Sequence, residues 1–205
     1  SEALVAQRKT AAANVDRFIS NEMARLKQEN EKGNTRGAWV KDQIADDEPV
    51  LISYCDFSVV WNFEDFKRTV AGHQYDGAIV AYKGFHPHHF GPTYYGYMRV
   101  DEKKLLLEIK EKEPFTDNRL EEYAAAGSYY FRTGAIMKKY FQEAVERGMR
   151  TAREFYASLP YNLMVRDGLN TFVYEVPKFI QFGNSHDVKV FEYWADYFRN
   201  NDHKN

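Results

Sequence analysis

The sequence predicts an α/β fold with a mixed sheet, and three observations carry that expectation. Residues 49–54 and 77–82 are short apolar runs of the length and composition of buried parallel strands. Between them Asn62 can cap a helix through Gly72 that places Phe63, Phe66 and Val70 on one face. A strand–helix–strand unit of this length takes a right-handed crossover and implies a parallel sheet.

The remaining elements follow in order. Residues 1–31 read as a helix, because Val15, Phe18, Ile19, Met23 and Leu26 recur at three- and four-residue spacing. Lys32-Gly33-Asn34-Thr35-Arg36-Gly37 breaks that pattern, so residues 1–34 are expected as a helical segment and 35–205 as the α/β domain. The apolar stripe of 1–31 needs a cover, which its own sheet or a second subunit would supply. After the second strand comes a loop, 83–93, rich in His, Pro and Gly. A hairpin is expected from 95–100 and 105–110 around Asp101-Glu102-Lys103, then a strand over 124–131. Helices are expected over 134–147, with Ile136, Tyr140, Phe141 and Val145 inward, and over 154–166, closed by Asp167-Gly168. Two short strands at 171–176 and 178–181 and a helix at 186–198 complete the order.

Composition excludes several function classes. With 205 residues the soft expectation is one domain, with or without an appendage. Lys plus Arg is 28 against Asp plus Glu at 30, so the basic excess of a nucleic-acid binder is missing. No apolar run approaches the roughly 20 residues that span a bilayer, and residues 1–10 have no apolar signal core. Cys55 is the single cysteine, so no internal disulfide can form and a reducing, cytoplasmic setting is expected. Cys55 itself reads as a small buried hydrophobe. Aromatic residues reach 16%, which means many faces for sugars or bases as well as for core packing.

Four segments could carry chemistry. Asp56 follows the first apolar strand, where ligands bind in doubly wound sheets. A carboxylate there suits a divalent cation bridging phosphates, or it caps the next turn. Glu111-Lys112-Glu113-Pro114 could hold a phosphate and sugar hydroxyls, or be a solvated charge run. His86-Pro87-His88-His89 invites a zinc reading, yet Pro87 stiffens it and no cysteine lies near, so a loop bonding phosphate or sugar is the stronger expectation. Ala125-Ala126-Gly127-Ser128-Tyr129-Tyr130 offers close approach to a ligand or to a packed helix. GxGxxG, a phosphate-binding P-loop and a Gly-x-Ser-x-Gly elbow are all missing, which removes support from hydride transfer and triad hydrolysis.

Taken together, several segments resemble the sugar-1-phosphate nucleotidylyltransferases. They are Glu48-Pro49-Val50-Leu51-Ile52-Ser53-Tyr54-Cys55-Asp56, Tyr95-Gly96-Tyr97, Glu111-Lys112-Glu113-Pro114, Ala126-Gly127-Ser128-Tyr129-Tyr130-Phe131 and Phe179-Ile180-Gln181-Phe182-Gly183. Tyr82-Lys83-Gly84-Phe85-His86-Pro87-His88 is similar to the capsular or polysaccharide-biosynthesis branch. The match runs from about Thr35 to Phe198.

The resemblance implies a three-layer α/β/α, Rossmann-like fold with a mixed, mostly parallel sheet, N-terminally incomplete. It implies condensation of a nucleoside triphosphate with a sugar 1-phosphate and Mg²⁺ as cofactor, while the charge balance and the apolar runs lead to the expectation of no nucleic-acid or membrane partner. By position, Asp56 matches the magnesium aspartate and, with Lys112, the catalytic group. Lys83, Gly96, Glu111, Lys112, Gly127 and Glu154 match substrate contacts, and Gly37 a glycine near the nucleotide base. The family's Gly-x-Gly-x-Arg phosphate loop has no counterpart here, Gln181 replaces a second metal aspartate, and Arg153 stands where a glycine is usual.

Overall fold

The computed structural model describes residues 43–86, 89, 94–151 and 154–201. The helix expected over 1–31, the boundary at 34/35 and Gly37 lie outside the described residues.

The elements in chain order are β1 (Val50–Ser53), β2 (Phe57–Val60), α1 (Phe63–Gly72), β3 (Gly77–Tyr82), β4 (Gly96–Val100), β5 (Leu106–Glu111), a 3-10 turn (Arg119–Glu121), β6 (Tyr123–Phe131), α2 (Gly134–Glu146), α3 (Pro160–Arg166), β7 (Thr171–Glu175), β8 (Lys178–Gln181) and α4 (Ser185–Asn201). The main sheet runs β5-β4-β6-β3-β7, with β1 also paired to β6. The β3–β7 ladder is parallel, and the ladders β1–β6, β3–β6, β4–β6 and β4–β5 are antiparallel. In direction, therefore, β1, β3, β4 and β7 agree, and β5 and β6 oppose them. The α/β class with a mixed sheet holds, with β6 interleaved among strands of the other direction.

That interleaving corrects one expectation. The run at 49–54 is not a buried parallel strand: β1 pairs antiparallel with β6 and alternates half-buried and exposed residues. A short apolar run carries no information about its partner, and here a strand from later in the chain fills the place beside it. The run at 77–82 is as expected, since β3 is buried along its whole length.

Two layers of packing cover β3. On one face Ala78, Val80 and Tyr82 join Phe66 and Val70 of α1, with Tyr97, Ala124, Ala126, Val176 and Phe179. Each fully buried side chain of the Phe or Ile class contributes roughly 1.5–3 kcal/mol. On the other face Gly77 makes room for α3, since a Cβ there would meet Tyr161 at 2.7 Å and Met164 at 2.9 Å. Tyr161 ties this layer to the sheet through its hydroxyl, which donates to Tyr130 O at 2.7 Å.

Local chemistry sets the helix ends. Asn62 caps α1 by accepting from Asp65 N, as its position predicts. Thr133 caps α2 in the same way through Ile136 N. The buried face of α2 is Met137, Tyr140 and Ala144, whereas Val145 is 52% exposed, which rotates the inward face away from the expected one. The helix expected from 154 begins only at Pro160. Proline lacks an amide hydrogen and its ring collides with the carbonyl four residues back, so it fits the first turn and blocks an earlier start. Cys55 is exposed, not buried. The pairing of β2 with β8 was not legible, because Phe57–Val60 follows Asp56 with no turn signal between. No helix among the described residues is long and apolar enough to cross a membrane.

Candidate functional site

The site lies where two strands stop short of each other along a third. β1 pairs with Ser128–Phe131 of β6, and β4 pairs with Tyr123 and Ala124, both on the edge opposite β3. Between them β6 carries a bulge: Val80 faces Ser128 but Ala81 faces Ala125, so Ala126 and Gly127 are extra. Gly127 adopts φ +98°, a conformation that side chains rarely take. A Cβ there would also stand 2.9 Å from the Phe57 ring and 3.2 Å from the Tyr54 ring. The close approach of the Tyr54 and Phe57 rings thus requires glycine at this point of β6.

A pocket of about 180 Å³ occupies this gap. Asp56, Gly96, Glu111 and Gly127, from four separate parts of the chain, all line it. Its walls are aromatic: Tyr54, Phe57, Tyr95, Tyr129, Tyr156 and Phe179. Sequence reasoning noted the aromatic excess but did not assign these rings, since nothing local separates a wall ring from a core ring.

Asp56 lies just beyond β1, next to the β2–β8 ribbon. Its carboxylate has no hydrogen bond from any described residue. A Cβ on Gly183 would meet Asp56 Oδ2 at 3.4 Å and Asp187 Oδ2 at 4.0 Å, so both carboxylates reach toward one point. Asp187 is held by Gln181 Nε2 at 2.6 Å and Asn184 Nδ2 at 2.7 Å. The Tyr95 hydroxyl donates to Gln181 Oε1. Burial, with Asp187 and Asp56 nearby, pushes the Tyr95 phenol far above its ordinary range, so it stays a donor.

Glu111 is 8% exposed at the end of β5. Its Oε1 accepts from the Ser158 hydroxyl, and a Cβ on Gly96 would stand 2.9 Å from that oxygen. Burial raises its carboxyl above the usual range, while the Ser158 bond and the Lys112 charge pull it down. Lys112 takes φ +62°. From there its ammonium lies 5.0 Å from the Tyr156 ring centroid and 3.8 Å from Glu154. The Tyr156 hydroxyl and Glu154 hold it charged.

The other expected contacts stand apart. Glu154 accepts from the Tyr156 hydroxyl at 2.5 Å but does not line the pocket. Lys83 lies 5.4 Å from the Tyr123 ring centroid, and that ring bonds Glu175, so Lys83 does not join the pocket group. His86 and His89 pack their rings on Tyr82, and no cluster of three or more metal-ligating side chains occurs among the described residues.

This arrangement, a mixed α/β sheet with an aromatic pocket and carboxylates at a strand end, defines the class of protein. The chain matches the Nucleotidyl transferase family over residues 3–196 and belongs to it. No curated protein matches the chain. Many solved structures share the fold, and two illustrate it. One is the nucleoside-diphosphate-sugar pyrophosphorylase from Vibrio cholerae RC9, with TM-score 0.57 and 16% identity, covering 74% of this chain and 59% of that one. The other, from Bacillus anthracis, is named as a glucose-1-phosphate thymidylyltransferase in complex with a sucrose, with TM-score 0.55 and 14% identity, covering 76% and 57%. The chain thus spans less than two thirds of the length of each.

Proposed function

We propose that this chain is a sugar-1-phosphate nucleotidylyltransferase of surface-polysaccharide synthesis, with residues 35–205 as its catalytic unit. The observation that carries the reading is the convergence of Asp56, Gly96, Glu111 and Gly127 on one pocket. Two of the four are acidic and two are glycines that leave room, a donor set suited to a polyol phosphate beside a divalent cation.

In the proposed reaction a phosphate oxygen of the sugar 1-phosphate attacks the α-phosphorus of a nucleoside triphosphate. A P–O bond forms to the sugar phosphate, and the bond to pyrophosphate breaks. Positioning and charge stabilisation do most of the work in such transfers. Glu111 would accept from sugar hydroxyls, and Lys112 would pair with the sugar phosphate at the pocket rim. Gly96 and Gly127 let the ring approach the sheet. The residues present fit Mg²⁺: Asp56 offers hard oxygen donors without a competing hydrogen bond, and Asp187 reaches toward the same point. Bound there, the ion would neutralise phosphate charge. Lys83, Glu154 and Gly37 remain proposed contacts for the sugar phosphate and nucleotide. We place the reaction in the cytoplasm, and the apolar stripe of residues 1–31 on a second copy or on this one.

A second reading is a binding protein without turnover, in which the same pocket holds a sugar phosphate that it does not convert. The test is pyrophosphate release with Mg²⁺, offering the common nucleoside triphosphates against a panel of hexose 1-phosphates. Release with one pairing supports the transferase and names its substrates. Saturable binding of a hexose 1-phosphate without release supports the second reading. Neither binding nor release overturns both.

A further inference from the structure

Ser158 was not singled out by sequence, and its surroundings give it a role. It is fully buried, two residues before Pro160 opens α3. Its position is fixed by the backbone, since its carbonyl accepts from Tyr161 N at 3.1 Å. Its hydroxyl donates to Glu111 Oε1. A serine hydroxyl has one proton to donate, and Glu111 takes it. Gly96 closes the side of Oε1 away from any bulkier neighbour, as the 2.9 Å approach of a Cβ there shows. Oε2 of Glu111 has no hydrogen bond from any described residue, although the carboxyl lines the pocket.

We propose that Ser158 is the positioning residue of Glu111: it holds Oε1 so that Oε2 is left as the acceptor for a hydroxyl of the bound sugar phosphate. The proposal rests on the sugar-phosphate reading above. The physical need is plain. A carboxylate in an aromatic wall tends to pick up a proton or swing away, and either change removes the acceptor. The charged and titratable groups facing Glu111 are Lys112 on its own strand end, Tyr54 beyond β1 and Tyr129 on β6. Lys112 alone among them favours the anion. The Ser158 hydrogen bond is the other contact that does.

The test reads Glu111 directly. Carboxyl carbon resonances of ¹³C-labelled Glu are followed against pH in the full chain, with Glu111 assigned by Glu111→Gln. In Ser158→Ala the Glu111 midpoint should rise by about one pH unit, a tenfold gain in proton affinity. In Ser158→Cys, which keeps the volume but donates weakly, it should rise by less; this variant decides the matter if Ser158→Ala does not fold. An unchanged midpoint in the folded variants overturns the proposal. Asn162→Ala is the control, because Asn162 bonds only the backbone of Ile109 on the same strand. An equal shift there would also overturn it, by showing a general loosening of β5. A second arm titrates α-D-glucose 1-phosphate and other hexose 1-phosphates into wild type and Ser158→Ala by calorimetry near neutral pH. Affinity about tenfold weaker in Ser158→Ala supports the role. If wild type binds none of them, the sugar-phosphate reading fails, and with it the named ligand, while the midpoint still decides whether Ser158 holds Glu111.

Discussion

The amide of Phe182 donates to the carbonyl of Asp56 at 2.7 Å, and this bond extends the β2–β8 ribbon by one step. It fixes the backbone of Asp56 opposite Phe182, leaving the side chain free of that duty. The carboxylate can therefore be removed without unpicking the ribbon. Asp56→Ala is expected to abolish Mg²⁺-dependent pyrophosphate release while leaving the circular dichroism spectrum and unfolding midpoint nearly unchanged. Full activity in this variant would remove Asp56 from the proposed metal site.

Gly127→Ala should damage both fold and site. The residue would sit at φ +98° with its Cβ 2.9 Å from Phe57. Strain of this kind costs roughly 1–3 kcal/mol. Urea unfolding should show a loss of that size, and hexose 1-phosphate binding should weaken because Phe57 and Tyr54 must shift into the pocket. A variant as stable as the parent would show that the bulge relaxes without effort.

Lys112 separates charge from backbone conformation. Its φ of +62° is unfavourable for a residue with a Cβ, while its amide still bonds Tyr95 O at 2.9 Å. Lys112→Gly should be more stable than Lys112→Ala by about 1 kcal/mol, from the handedness cost alone. Both should lose affinity for a sugar 1-phosphate by about tenfold or more, the scale of one charge-assisted contact. Retained affinity in either variant would mean that the ammonium does not touch the phosphate.

Acid stability should depend on Asp167. Hydrogen bonds from Arg166, and then Tyr140, pull its carboxyl from 3.8 down to about 2. A carboxyl lowered by folding adds stability that is present above its unfolded value and lost as pH falls through its folded one. Thermal unfolding midpoints should therefore decline between about pH 4 and pH 2 partly through this group. Asp167→Asn should flatten that part of the curve, and an identical slope would rule the contribution out.

The sequence made some of this legible and hid the rest for physical reasons. β3 was readable because all six of its residues are buried, so the apolar run and the burial coincide. The cap at Asn62 was readable because capping is a contact across three residues. The partner of β1 was hidden, since pairing Val50 with Phe131 joins residues 81 positions apart. The start of α3 was visible in principle at Pro160, but the amphipathic pattern upstream of it masked the signal. In the site, Asp56, Glu111 and Gly127 stood out by strand-end position, charge and small-residue pattern, with a bland alternative each, and the family resemblance gave them roles and added Gly96. Ser158 had no signal at all: a lone serine before a proline looks like a loop residue until Glu111 arrives from 47 positions away.

The gap between β1 and β4 along β6 also sets how such a site can be altered. Its width is measured out by residues of one continuous strand, from Ser128 back to Ala124. Each residue inserted or deleted there moves the two flanking strands apart or together by roughly 3.3 Å, and flips every side chain beyond it to the opposite face. Changes of size therefore come in pairs of residues. Finer adjustment is left to the rings of the wall, so descendants of this pocket would diversify by exchanging aromatics and not by changing loop length.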